Sequence, residues 1–302
     1  MDSIIDSLIK HILKNKIKIV TITESNHRSY TSHTFHFKLI KALYENKIID
    51  TFSSERMGIN DGLMIDYYLK NKLDLENLHK SLSFGGMGYY RIIKYFDKKP
   101  YDSYKIVGLE GDRMCFKIAD RSPTGFVPLE YKMPKDREKF WLKNIKKILE
   151  KRGNLFINGY HLSKDDLIGK YLKKHYGEKT LFISMGALEI KTQILLIDRN
   201  LYPIESDFNR AIVDNKYKLK VENIDKIAKP TPLEKKYQDW KLVKVDKKNK
   251  DLTFRAVGCY LALYKDEYEK GIDLTPEISY KLASYDYFVF FKKSVYKEEM
   301  FF

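Results

Sequence analysis

From about residue 17 to residue 185 the chain switches repeatedly between two hydrophobic periods, and this restricts its fold more than any other feature. Ile17-Lys-Ile-Val-Thr-Ile22 alternates and is β-branched, as a buried strand requires. Phe35, Leu39 and Leu43, with Ile40 and Tyr44, then recur at three and four residues and line one face of a helix over about 34–46. Ile48–Phe52 continuing into Ser53-Ser54-Glu55 predicts a second strand that ends on an acid. Gly58–Gly62 reads as a turn, and helical patterns follow from Leu63, over 76–82 and over 89–96. Tyr104–Leu109 predicts a third strand, Leu155–Ile157 a fourth and Thr180–Ser184 a fifth, with helices over 135–152 and 165–176 between them. Strands separated by helices cannot be joined by tight hairpins and must lie parallel. The expectation is therefore an α/β fold. A mostly parallel central sheet would be flanked by helices on both faces, with a cleft at the C-terminal ends of its strands.

Outside that span, Ile4, Ile5, Leu8 and Ile12 mark a short helix over 3–13. Beyond 186 the pattern weakens to a strand at 193–198, a helix at 206–215 and a lysine-rich, solvated excursion at 225–252 holding Pro230 and Pro232. Tyr285–Phe291 is apolar on both faces, so it predicts a central or well-covered strand. No repeat or linker interrupts the chain. A single domain over 1–302 is expected, with a less regular C-terminal part over about 190–302.

Hydrophobic residues make up 43% of the chain, enough for a sizeable core. A formal charge of +15 admits nucleic acid, an anionic membrane face or an acidic substrate as partner. The lysines are spread along the whole chain and interleaved with Glu and Asp, however, as in a chain from an AT-rich genome. Nucleic acid is accordingly not expected as a partner. Cys115 and Cys259 stand in no C-x-x-C or C-x-x-H context, which argues against a zinc ribbon or dithiol site. No run of 18 apolar residues occurs and the first 20 residues are punctuated by lysine, so neither a membrane span nor a signal peptide is expected. The expected location is the cytoplasm. The sequence carries no signal of oligomeric state.

Chemistry concentrates where strands give way to helices. Glu24, His27 and Arg28 follow the first strand, Glu55 ends the second, Glu110 the third, and His161 follows the fourth. The C-terminal ends of parallel strands share one rim, so these residues are expected to converge. An imidazole near neutral pH can take a proton from water while a carboxylate orients it, and an arginine or second histidine can neutralise a developing oxyanion. Two histidines and two glutamates also suit a divalent metal. No H-E-x-x-H or similar short ligand pair is present, so a metal-free site is expected and a metal site is the weaker version. No G-x-S-x-G, Walker A or G-x-G-x-x-G motif occurs.

In the order of these motifs the chain resembles the erythromycin esterase-like family. Thr23-Glu24-Ser25-Asn26-His27-Arg28-Ser29 is similar to the family's strand-borne G-E-x-x-H-G-[ST], and Ser54-Glu55 to its strand ending in Glu. Asn60 through Tyr67 and Tyr68 is similar to its N-x-Y-like helix start, and Leu73–Leu78 to its acidic-leucine segment. Gly108-Leu109-Glu110 is similar to Gly-x-Asp, and Asp136-Arg137 to the start of its long helix. Asn158-Gly159-Tyr160-His161 is similar to H-N-x-H. The resemblance implies ester or lactone hydrolysis of a small molecule without an obligatory cofactor. His27 would be general base, Glu24 its orienting partner, and Glu55 and His161 the residues that place substrate or water. Arg28, Asn158, Glu110 and Arg137 would contact substrate. The chain departs from the pattern at Thr23, Arg28 and Asn158, and Arg28 points to an anionic substrate. A haem- or metal-binding protein without enzymatic activity, on the same scaffold, is the alternative.

Overall fold

The structure is a computed structural model describing residues 1–24, 30–82, 89–111, 136–159, 162–187, 240–244 and 285–291. His27, Arg28 and His161 lie outside the described residues. So do the strand expected at 193–198 and the helix expected at 206–215.

Helix α1 (Asp2–Lys14) leads to β1 (Ile19–Glu24), α2 (Tyr30–Glu45), β2 (Thr51–Gly58), α3 (Ile59–Asn71), α4 (Leu75–Ser81) and α5 (Tyr90–Asp97). There follow β3 (Lys105–Glu110), α6 (Arg137–Arg152), β4 (Leu155–Gly159), α7 (Leu167–Tyr176), β5 (Thr180–Ala187), β6 (Lys241–Lys244) and β7 (Tyr287–Phe291). Contacts divide the chain into two compact units. The larger comprises Asp2–Thr23, His33–Phe182 and Lys297–Phe302, and the smaller Met1, Glu24–Ser32 and Ile183–Tyr296.

In the larger unit the strands lie in the order β3-β2-β4-β1, with the first residues of β5 beside β1. The β1/β4, β2/β4 and β2/β3 pairs are all parallel. Both faces are covered, as α/β architecture demands: Ile19, Val20, Thr21 and Ile22 are all fully buried, and β4 is buried at all five positions. On one face Phe52 and Phe156 meet Phe96 of α5 and His36 of α2. On the other, the Thr21 hydroxyl donates toward the carbonyls of Leu162 and Leu181, each at 3.4 Å. In the smaller unit β5 pairs in parallel with β7, which pairs antiparallel with β6. The α/β fold with a mostly parallel sheet is thus as expected.

The helices form where the apolar stripe is continuous. Ile4, Ile5, Leu8, Ile9 and Ile12 bury one side of α1, and Trp141, Ile145 and Leu149 one side of α6. Asp136 caps α6 by accepting from the backbone of Lys139 at 3.1 Å, and Gly153 ends it at φ +74°, a conformation a side chain would disfavour.

Two expectations need correction. The second strand does not end at Glu55 in a turn. It continues to Gly58 and runs directly into α3, whose Asp61 accepts the Gly58 backbone N–H at 3.0 Å. The glycines there serve close packing: a β-carbon on Gly108 would lie 1.8 Å from the Gly58 carbonyl oxygen, and one on Gly62 would lie 2.7 Å from the Gly108 nitrogen. Likewise, Lys241–Lys244 is not loop but strand β6. Its antiparallel pairing to β7, from Lys241 opposite Phe290 to Lys244 opposite Tyr287, supplies the backbone partners that a solvated excursion would lack.

Candidate active site

Strands β2 and β4 pair at Phe52–Phe156, Ser53–Ile157 and Ser54–Asn158, and there the regular ladder stops. On its other side β2 slips register against β3 between Ser54 and Gly58. Glu55 sits at this irregularity, one residue past the last β4 pair. Its side chain is 3% exposed and lies over Gly159. A β-carbon on Gly159 would be 2.5 Å from Cγ, Cδ and Oε2 of Glu55 alike. Bare backbone is therefore what admits the carboxylate.

Successive residues of a strand point to opposite faces. Asn158, beside Gly159, therefore turns away from the Glu55 side, and it carries a second polar chain. The Tyr89 hydroxyl, at the start of α5, donates to Asn158 Oδ1 and also lies 3.3 Å from the Ser53 carbonyl oxygen. On the amide's other side, Asn158 Nδ2 is 3.4 Å from His36 Nδ1. An amide nitrogen only donates, so in this orientation of the amide His36 Nδ1 is the acceptor. The His36 ring meets Phe156 at 6.4 Å and the edge of His33 at 6.3 Å. His33, His36 and Asn158 are all buried.

His33, His36 and Tyr89 were not among the sequence-derived candidates. Their signal was spacing: His33 and His36 extend the buried stripe of Ile40 and Leu43 by steps of three and four. A polar residue on an otherwise apolar helix face is the informative exception.

One strand further out, Glu110 ends β3 and Arg137 opens α6. The two expected substrate-contacting residues are brought together by the fold, onto each other. Arg137 Nε donates to Glu110 Oε2 at 3.0 Å, with Nη2 on the same oxygen. Glu110 Oε1 accepts the Gly111 backbone N–H at 2.9 Å and faces the Trp141 indole N–H at 3.4 Å. The guanidinium stacks 4.7 Å above the Trp141 ring. A buried carboxylate with donors on both oxygens joins helix to sheet here. Glu24 is the last residue of β1, directly after Thr23, which pairs with Gly159. Among the described residues no group of three or more His, Cys, Asp or Glu is arranged to hold a metal ion, and no helix is long and apolar enough to cross a membrane.

No family model matches the chain, and no curated protein matches it in sequence. Among solved structures it is similar to a protein from Bacillus cereus, with 13% identity and a TM-score of 0.40 over 60% of this chain and 70% of that one. It is also similar to a succinoglycan biosynthesis protein, at 14% identity and TM-score 0.47, covering 60% of this chain and 69% of the other. A third is ChaN of Campylobacter jejuni, whose structure shows cofacial haem binding, at 14% identity and TM-score 0.33 over 60% and 85% of the two chains. The α/β assignment rests on the strand pairing above, and none of these likenesses bears on function.

Proposed function

We propose that the chain is a hydrolase of the erythromycin esterase-like kind, cleaving an ester or lactone-type bond in a small, anionic molecule. The observation that carries this reading is the buried Glu55 carboxylate, placed over bare Gly159 where the β2/β4 ladder ends. A carboxylate buried where parallel strands end stands at the rim on which such sheets hold their ligands. In this reading His27 takes a proton from water and the hydroxide oxygen attacks the ester carbon. The tetrahedral intermediate then collapses, and the proton passes from His27 to the departing alcohol oxygen. Glu24 orients His27, Glu55 and His161 place water and substrate, and Arg28 faces the substrate's negative charge.

The test is a panel of carboxylic esters, lactones and phosphoesters offered to the full-length protein, alongside H27A and E55Q. Turnover of a carboxylic ester or lactone that H27A abolishes, with the fold intact, supports the reading. Turnover that H27A leaves unchanged removes His27 from the mechanism. A protein that hydrolyses nothing but retains haem or stoichiometric metal, by absorbance and metal analysis, establishes the non-enzymatic alternative instead.

A further inference from the structure

The amide of Asn158 has two faces and two different neighbours, and these tie its orientation to the proton on His36. In the orientation described, Tyr89 donates to Oδ1 and Nδ2 donates to His36 Nδ1. That leaves His36 no way to carry a hydrogen on Nδ1, because two donors would then face each other. Turned by 180°, the nearly isosteric amide offers Oδ1 to His36 and Nδ2 to Tyr89. The phenol accepts from Nδ2 only if its own hydrogen goes elsewhere, and an acceptor is already in place: the Ser53 carbonyl oxygen, 3.3 Å away. The rotated network runs His36 Nδ1–H to Asn158 Oδ1, Asn158 Nδ2–H to Tyr89 oxygen, and Tyr89 O–H to Ser53 oxygen. The amide oxygen and nitrogen of Asn158, the Tyr89 hydroxyl and His36 Nδ1 each keep a partner in both orientations.

We propose that Asn158, Tyr89 and Ser53 form a rotating amide relay that lets the buried His36 take up and release a proton, making Asn158 the positioning residue for a second proton-handling histidine. Burial alone opposes the imidazolium. The relay offsets this by supplying an acceptor for Nδ1–H when the proton arrives on the ring. It takes that acceptor away when the proton leaves. Among the described residues, the titratable groups recorded around the ring are His33, on its own helix at 6.3 Å, and Tyr89, through the amide. The strand beneath contributes Phe156 and Asn158, which carry no charge. That this proton serves hydrolysis rests on the function proposed above. The proton-linked rotation itself does not.

The experiment uses the full chain labelled with 15N-histidine. Long-range 1H–15N spectra from pH 5 to 9 separate the Nδ1–H tautomer, the Nε2–H tautomer and the imidazolium, with H36Q assigning the signals. In the wild type, His36 is expected as Nε2–H at high pH and as imidazolium at low pH, with the backbone amide spectrum unchanged. N158D, which can only accept, should move the neutral ring to Nδ1–H and raise its midpoint by at least one pH unit. N158L, which offers no acceptor, should lower the midpoint by at least one unit. A ring that keeps one tautomer and does not titrate overturns the proposal, as does a midpoint that ignores both substitutions. If N158L does not fold, N158D decides the matter, because it retains shape and an acceptor. With an ester substrate in hand, N158D should shift the pH profile of kcat by the amount seen in the spectra. If the spectra respond but no substrate turns over, the relay stands and the esterase reading falls.

Discussion

The side chain of Glu55 occupies the space that a β-carbon of Gly159 would need, with three of its atoms 2.5 Å from that point. Gly159→Ala must therefore displace the carboxylate. Overpacking of this kind costs about 1–3 kcal/mol, and Glu55→Ala should relieve it. In urea unfolding the double variant is expected to be more stable than the two single losses predict, by more than about 0.5 kcal/mol. Additive losses would mean that the two residues do not meet.

Gly108 is a harder constraint, because the atoms in the way belong to the backbone: Gly58 O at 1.8 Å, Gly58 C at 2.4 Å and Met57 O at 2.8 Å. Gly108→Ala should lose about 3 kcal/mol or more, since β2 and β3 must part to admit the methyl. Gly153→Ala makes a useful contrast. Among the described residues nothing lies within 4 Å of its β-carbon, yet φ is +74°, so only the roughly 1–2 kcal/mol of left-handed backbone strain applies. Thermal unfolding of both variants would rank them, and a Gly153→Ala loss equal to that of Gly108→Ala would contradict this account.

The Glu110 carboxylate holds Arg137, the Gly111 amide and the Trp141 indole at once. Glu110→Ala leaves four N–H donors on three residues without that acceptor, and a loss of about 3 kcal/mol is expected, the lower end for a broken buried pair because Arg137 remains part-exposed. Trp141→Phe removes one long hydrogen bond and keeps a ring under the guanidinium, so about 1 kcal/mol should suffice. Chemical denaturation of the two variants tests the order.

Alkaline pH should weaken the fold. Burial, then a hydrogen bond to Asp66, pushes the Tyr101 phenol up to about 12. Burial raises Tyr95 as well, helped by its hydrogen bond to Glu45, and burial raises Tyr104, helped by the nearby charge of Asp97. Each phenol binds its proton more tightly folded than unfolded. The stability this provides is complete below the unfolded value near 10 and is lost as pH rises from there through about 12. Denaturant midpoints measured from pH 8 to 11.5 should be flat at first and then fall.

Tyr104 adds a separate test at neutral pH. Its ring stacks on Phe96 at 4.4 Å, while among the described residues its buried hydroxyl finds no hydrogen-bond partner. Tyr104→Phe keeps the stack and removes the stranded group. It should raise stability by about 1 kcal/mol, and a loss on differential scanning calorimetry would show that the hydroxyl is needed.

Most strands could be read from the sequence because a parallel strand covered on both faces is a dense apolar run, as Leu155–Ile157 and Thr180–Ser184 are. The end of β2 could not, since Gly58 and Gly62 look like turn residues until the approach of Gly108 is seen. Strand β6 is four residues within a lysine-rich stretch, too short to show a period. For the site, Glu55 and Asn158 were visible as polar residues near strand ends. Their sorting to opposite faces of the sheet depends on pairing register, which no local pattern records. His33 and His36 escaped because a search for the apolar side of α2 passes over imidazoles that share it. The bond between Glu110 and Arg137 joins residues on opposite sides of a long connection, and only the packing of α6 on β3 reveals it.

Strand β4 has a partner on each flank, and two adjacent residues near its end serve opposite sides of the sheet. A slip of β4 by a single position would turn each of its residues to the other side. Moved one place along, Asn158 would be driven into the space Glu55 fills, and the Tyr89 phenol would be left facing the apolar Ile157. The alignment of three neighbouring strands is thus itself part of the polar machinery. Any variant that loosens the β1–β4–β2 pairing should silence both faces together, even if it lies far from Glu55 and His36.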